Sequence, residues 1–439
     1  MTNPVRRLLD GTLTRGATFS LLQSATGIIA YFLAMRLLIA TQGTIAVGLW
    51  SLTVGTVAII RLVDVSGGAG LARLVSRLQD DDDAKTYVVD TVTFFIFVFH
   101  LVLMLVAILP LEWAIAGMVP AGQVALAQEL IAWAAVILIL TVVGGAQANA
   151  IDGLHKVDVR SIILLVGSLI FGGVSLFAIP RWGVRGIAMA QLAQTIAVLV
   201  GTRGVLVSQL PGLRAWPRRL SAAVLRDALP YGAKMQASSV PLLIYEPLAR
   251  VIINYLAGLH ALATYDLAYK LCVYTRNFIQ AAAQPLIPAL SRLVVEDHDA
   301  ARRLFYRSFR IFLIAGIVIF AGVAVASPLA SYLLLGQISV DFIIATVAMA
   351  VASTVGTAAF VPSVLGQATG HLKWNIAGQW SIALLTVTLV PAVGLVIGTD
   401  WAIVGTALAV GLGYSLIIIG NLGYFHPRRH GTEGGVGTS

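Results

Sequence analysis

Glu246 and Arg250 stand one helical turn apart in a long apolar stretch, with Pro241 and Pro247 beside them. An ionisable side chain at the centre of a membrane-spanning helix costs about 2.5–3.5 kcal/mol on insertion scales, so it faces a wet cavity or a partner. Each proline removes a backbone hydrogen bond and lets the helix bend. Asp266 and Lys270 repeat the one-turn spacing, and Asn277 follows on their face. Arg276 lies on a neighbouring face with Tyr265 and Tyr269. Arg61, with Asp64 three residues on, and Arg36 complete the charges set into apolar runs. Cations of this kind suit phosphate groups, and aromatic faces suit sugar rings.

Each of these residues has a plainer reading too. Glu246 and Arg250 could form an ion pair that only locks helix packing. Asp266 and Lys270 begin close to the outer interface, where a pair would be solvated. Arg36 is placed near an outer helix end, where its guanidinium can snorkel to the headgroups. Arg61 and Arg276 either ring the inner half of a cavity or snorkel inward. The candidate substrate-binding set is Arg36, Arg61, Glu246, Arg250, Lys270 and Arg276. Glu246, Asp266 and Asp64 are the candidates for ion or proton coupling. A polar stripe on the first run, Ser20, Gln23, Ser24, Gly27 and Tyr31, either lines a groove or binds helix to helix. His100 reads as a neutral histidine, and Asp80 to Asp83 as a solvated acidic loop. With one cysteine, Cys272, no internal disulfide forms, and no Cys/His metal cluster or cofactor motif is present.

The elements that must position these groups are membrane helices. Hydrophobic residues make up 58% of the 439, and charged residues only 11%, where a soluble domain carries roughly 25% charge. This excludes an ordinary soluble enzyme. The net charge of +9 does not indicate nucleic acid, because the basic residues lie between apolar runs rather than in one solvated patch. A spanning helix needs about 20 apolar residues. Twelve runs qualify, near 17–40, 45–66, 86–109, 128–149, 160–180, 185–207, 231–257, 261–287, 308–327, 340–361, 375–397 and 402–424. The first is too long for a signal-peptide core and is read as a retained helix. Most of the 29 basic residues then fall on one face together with both termini, which predicts cytoplasmic termini.

The chain also contains its own half twice. Gly43, Trp50-Ser-Leu, Arg61 and Ser76-Arg-Leu return as Gly258, Tyr265-Asp-Leu, Arg276 and Ser291-Arg-Leu, each 215 residues later. Further on, Gly153-Leu-His-Lys156 echoes Gly370-His-Leu-Lys373. Trp182 and Gly186 echo Trp401 and Gly405. Equal span counts make the repeats parallel, and substrate sites in such transporters lie at the repeat interface.

The stretch from Gly258 through Tyr265-Asp-Leu-Ala-Tyr-Lys270 to Pro285-Leu-Ile-Pro288 and Arg292 resembles a signature of polysaccharide transporters. Gly366-Gln-Ala-Thr-Gly370-His-Leu-Lys373 resembles their loop after the tenth helix. These belong to the oligosaccharide flippase branch of the multidrug/oligosaccharidyl-lipid/polysaccharide exporter (MOP) superfamily, which includes the MATE exporters. The resemblance implies an all-α integral membrane protein with about twelve transmembrane helices in two parallel six-helix repeats. It also implies flipping of polyprenyl-pyrophosphate-linked oligosaccharide. Family members often carry an acid just before the arginine matching Arg250; here Ala249 stands there, and the acid is Glu246.

The expected organisation is a six-helix bundle over 1–207, a cytoplasmic linker over 208–230, a second bundle over 231–424 and a tail over 425–439. The expected function is export of a lipid-linked oligosaccharide across a bacterial inner membrane, by alternating access around a cationic central cavity. Membrane lipids are expected partners, with a polysaccharide polymerase and glycosyltransferases beside them, and no cofactor or nucleic acid. Two alternatives stand: a MATE-type cation antiporter, whose cavity would be acidic, and a membrane-bound polymerase or ligase, which would need a large outer loop. The absence of an ATP-binding glycine loop points away from direct ATP coupling.

Overall fold

The computed structural model describes residues 11–63, 70–78, 81–281 and 286–425. Asp64, Asp80 and the tail after 425 lie outside the described residues. The described chain is all helix: α1 Gly11–Gln42, α2 Thr44–Ala58 with a 3-10 turn Ile59–Val63, short α3 Leu71–Arg77, α4 Asp82–Ala116, α5 Val124–Gly153, α6 Val157–Trp182 and α7 Val184–Gln209. After a connector come α8 Ala222–Ala281, α9 Leu286–Glu296, α10 His298–Leu335, α11 Val340–Ala358, α12 Phe360–Thr369, α13 Lys373–Val396 and α14 Ala402–Leu422.

Eleven helical stretches among the described residues are long and apolar enough to cross a membrane. One of them, Leu243–Gln280, holds two helices joined at Gly258, whose φ of 77° and ψ of −178° are not helical. The described residues of all twelve apolar runs therefore lie on helix, in eleven candidate spans. Several helices outrun the sequence expectation. α4 spans Asp82–Ala116 where 86–109 is apolar, α10 spans His298–Leu335 where 308–327 is apolar, and α8 starts at Ala222, not 231. Hydropathy marks only the part of a helix inside hydrocarbon; the polar ends continue the same hydrogen-bond ladder into the headgroups.

The sequence repeat has a counterpart in backbone geometry. Gly43 breaks α1 from α2 at φ 78°, ψ 177°, nearly the angles of Gly258. Only glycine enters that region without strain. Each break precedes a helix, then a short helix (α3, α9), then a long one capped by an aspartate. Asp81 accepts from the Ala84 amide at 2.8 Å and Asp297 from the Ala300 amide at 2.9 Å.

The helices run back and forth, so the bundle has two ends. The near end holds the start of α1 and the end of α14; the far end holds Gly43, Gly183, Gly258, Gly336 and Gly398. At the far end the first helices meet the later ones. Thr44 Oγ1 is 2.7 Å from His260 Nδ1, and Asn254 donates to the Met118 carbonyl at 2.7 Å. Gly48 lies so close beneath the Leu259 carbonyl that any side chain there would collide with backbone. The outer belt is apolar and exposed, with Leu105, Leu109, Val325 and Leu395 among its residues, as hydrocarbon demands.

Candidate functional site

Both limbs of α8 carry charge to one place. Arg250, on the first limb, reaches Asp266 on the second, with Nε 3.1 Å and Nη2 3.0 Å from Oδ1. Lys270, one turn after Asp266, places Nζ 2.8 Å from Oδ2 and donates to the Tyr31 hydroxyl at 2.7 Å. That ammonium also lies 4.4 Å from the centre of the Tyr31 ring. Asp266 is 1% exposed, so the pair expected near the outer interface is a buried cluster instead. The bend at Gly258 folds the second limb back against the first, which brings i and i+16 together. Gly55 of α2 makes room for the Arg250 stem; a β-carbon there would stand 2.9 Å from Arg250 Cδ.

This cluster lies on the wall of a cavity of about 410 Å³. Arg250, Lys270, Tyr31 and Trp50 all line it. Gln23, Ser24 and Gly27 of the α1 stripe line it too, while Ser20 is bonded to Ser161 at 2.8 Å. Gln191 and Gln194 of α7, Tyr274 and Asn277 add hydrogen-bonding side chains. The walls come from α1, α2, α6, α7 and α8, so α10 to α14 contribute nothing to this cavity. Nor is its positive charge free: Arg250 and Lys270 share one buried carboxylate, which leaves that trio one positive charge in excess.

Glu246 is half-buried beside the cluster. It accepts from the Tyr269 hydroxyl at 2.7 Å and stands 3.9 Å from Arg250 Nη1. The Tyr269 hydroxyl is in turn 2.7 Å from that of Tyr245. The remaining candidates are elsewhere. Arg276 is buried, donates to Tyr414 at 2.9 Å and lies against Gly356. Its repeat mate Arg61 is exposed at the near end of α2, so the two do not ring the cavity. The pseudo-symmetry fails because Arg276 is buried against Tyr414 within its own half, whereas Arg61 is exposed. Arg36 is at the far end, 3.5 Å from the Leu334 carbonyl at the close of α10. His100 bonds the Ile96 carbonyl at 2.9 Å. Among the described residues no group of three or more His, Cys, Asp or Glu side chains could hold a metal ion.

Sequence reasoning missed two features. Gln191 and Gln194, at i and i+3 in the α7 run, are a readable polar face. Asp90 and Arg203, each a lone charge near a run's end, pair at 2.9 Å at the near end. Arg203 also holds the Arg214 and Ala215 carbonyls, and Asp90 takes the amides of Arg218 and Arg219. The connector is thus tied to α4 and α7.

The sequence family described as polysaccharide biosynthesis protein matches residues 22–365. Among curated proteins none matches in sequence. Among solved structures, an inward-facing MATE family multidrug resistance transporter of the MOP superfamily is similar at a TM-score of 0.69 and 16% identity, covering 92% of this chain and 96% of that one. An outward-facing MATE family multidrug resistance transporter gives 0.69 and 15%, covering 94% of each chain. A MOP superfamily transporter from Pyrococcus furiosus, for which a binding pocket of reverse polarity suggests a different function, gives 0.67 and 17%, again covering 94% of each. At these identities the likeness establishes a shared, MATE-like multi-pass membrane fold.

Proposed function

The chain belongs to the polysaccharide biosynthesis protein family, and from that membership we propose that it flips a polyprenyl-pyrophosphate-linked oligosaccharide across a bacterial inner membrane. The observation that carries this reading is the placement of Arg250 and Lys270 on the cavity wall, with Tyr31 and Trp50 beside them. A sugar–phosphate head cannot cross hydrocarbon, but its lipid tail can remain in the bilayer while the head travels through a wet groove. Arg250 and Lys270 would take the phosphates, exchanging part of their hold on Asp266 for substrate oxygens. Trp50, Tyr274 and the glutamines would face the sugar rings and hydroxyls.

Movement would come from two six-helix bundles, 1–207 and 231–424, rocking about the site, with 208–230 as their link. The near end would be cytoplasmic, since Arg73, Arg77, Lys85, Lys156, Arg160 and Arg302 gather there. Glu246 and Asp266 are the groups through which a proton or sodium gradient could act. The product would pass to a polymerase, and glycosyltransferases would supply the substrate. A MATE-type antiporter for hydrophobic cations is favoured by the fold alone and opposed by the two cations at the cavity. The family and fold give a polymerase or ligase no support.

The test uses proteoliposomes loaded with a fluorescent lipid-linked oligosaccharide, whose head is quenched only from outside. Wild type is expected to expose the internal pool, and Arg250→Gln/Lys270→Gln to expose it at least tenfold more slowly. Equal rates, or saturable transport of a hydrophobic cation in place of the saccharide, would overturn the proposal.

A further inference from the structure

α4 and α10 occupy matching places in the two repeats, each opening from an aspartate cap at the near end. What covers them differs. On α4 the connector lies across the first turns: Thr86 donates to the Pro211 carbonyl at 3.0 Å, and Asp90 takes the Arg218 and Arg219 amides. On α10 no other described segment lies across the corresponding face. It carries two adjacent i, i+4 rows, Arg302-Tyr306-Arg310-Ile314 and Arg303-Arg307-Ile311, around one shallow depression that Asp299 also lines, leaving four arginines against one acid. All four arginines are exposed. Among the described residues no carboxylate lies within 4 Å of any of them. Aligned cap to cap, the α4 residues at these positions are Thr86, Tyr87, Thr91 and Phe94. The fold does not require arginine here.

The face also has direction. From Arg302 to Ile314 is about 18 Å of helix. It starts among the near-end polar groups and ends on Ile311 and Ile314, exposed by 54% and 56%, where the apolar belt begins. Guanidinium groups above a lipid-facing apolar strip match a phosphate headgroup above its own acyl chains. The chain's own residues 426–439 hold two arginines and a single acid, so their charge does not suit this surface.

We propose that the Arg302–Arg310 face of α10 is a binding site for anionic phospholipid of the near-end leaflet. The headgroup phosphate takes Arg303, Arg307 and Arg310, and the acyl chains lie along Ile311 and Ile314. Tyr306, whose ring centre is 6.0 Å from the Arg302 guanidinium, marks the headgroup level. This site is separate from the cavity, and its assignment does not depend on what the cavity carries.

The experiment is lipid retention by the purified full-length protein, read by native mass spectrometry after exchange into phosphatidylglycerol or phosphatidylcholine. Wild type is expected to retain phosphatidylglycerol and to shed phosphatidylcholine. Removing each arginine should weaken retention about fivefold, the effect of one basic residue at a charged surface. Arg307→Gln/Arg310→Gln should therefore lose most of the bound lipid, and Arg307→Lys/Arg310→Lys should keep it. The lysine variant separates lost binding from faulty insertion, because it preserves the charge that sets topology. Equal retention by the glutamine variant would overturn the proposal, and so would equal retention of both lipids by wild type. Preferential displacement of phosphatidylglycerol by a polyprenyl phosphate would also overturn it, making the face an entrance for the carried lipid.

Discussion

Arg250 Nε and Nη2 lie 3.1 Å and 3.0 Å from a single oxygen of Asp266, across the Gly258 break in α8. The other oxygen of that carboxylate holds Lys270 at 2.8 Å. One buried acid thus fixes the angle between two membrane limbs and keeps two cations at the cavity wall. Removing one member of a buried pair leaves a charge uncompensated, at about 3–5 kcal/mol. Asp266→Ala is therefore expected to lower the thermal unfolding temperature in detergent sharply, and Asp266→Ala/Lys270→Met to recover part of it. If Asp266→Ala melts like wild type, the acid does not hold the limbs.

The cations divide by position, and their substitutions should divide with them. Arg250 and Lys270 line the cavity; Arg36, Arg61 and Arg276 do not. A hydrogen bond to a charged group is worth about 1.5–3 kcal/mol. Lys270→Gln is thus expected to slow flipping roughly tenfold to a hundredfold. Arg36→Gln and Arg61→Gln should leave the rate within about twofold. Arg276→Gln should lower stability, because Tyr414 loses its partner, with little change in the rate per folded molecule. Flipping rates normalised to folded protein check the ordering, and a larger loss from Arg61→Gln than from Lys270→Gln would contradict it.

Much of this arrangement is written in the chain. Apolar run length marks the spans, because a helix in hydrocarbon must be apolar along about 20 residues. The recurrence of Gly43 at Gly258 marks the break that the backbone then shows. Asp266 and Lys270 were legible as a pair but not as buried, since their depth depends on how far α8 folds back at Gly258. Arg250 meeting Asp266 is a contact between limbs, with no local spacing to announce it. The contrast between Arg61 and Arg276 was hidden for the same reason: repeat arithmetic gives matching positions, but Tyr414, far along the chain, decides that Arg276 turns inward.

Gly258 and Gly43 provide a test of the repeat at the level of backbone. Both hold a φ near +78° with extended ψ, a region open essentially only to glycine. Alanine at either is expected to cost about 1–3 kcal/mol. Gly122 has ordinary backbone angles and open space around its missing β-carbon, so Gly122→Ala should be neutral. Thermal unfolding of the three variants in one detergent is the measurement. A neutral Gly258→Ala would mean that the bend is held by contacts alone, the Arg250–Asp266 pair foremost.

The connector between the repeats is anchored by a single ion pair. Arg203 and Asp90 are 7% and 3% exposed, and between them they bind backbone groups of Arg214, Ala215, Arg218 and Arg219. Asp90→Ala removes the acceptor for two connector amides and takes the carboxylate from the Arg203 guanidinium, while Trp216 keeps its edge contact with Phe97. Arg203 keeps the Arg214 and Ala215 carbonyls as partners, unlike the cations around Asp266, so the damage should concentrate in the connector. Trypsin, which cleaves after arginine, then reads the connector directly through Arg214, Arg218 and Arg219. Cleavage there is expected to accelerate at least tenfold in Asp90→Ala, with the unfolding temperature lowered only a few degrees. Unchanged cleavage would show that the connector is held by Trp216 and Pro211 rather than by the ion pair. Cleavage throughout the chain would show that the pair supports the whole bundle.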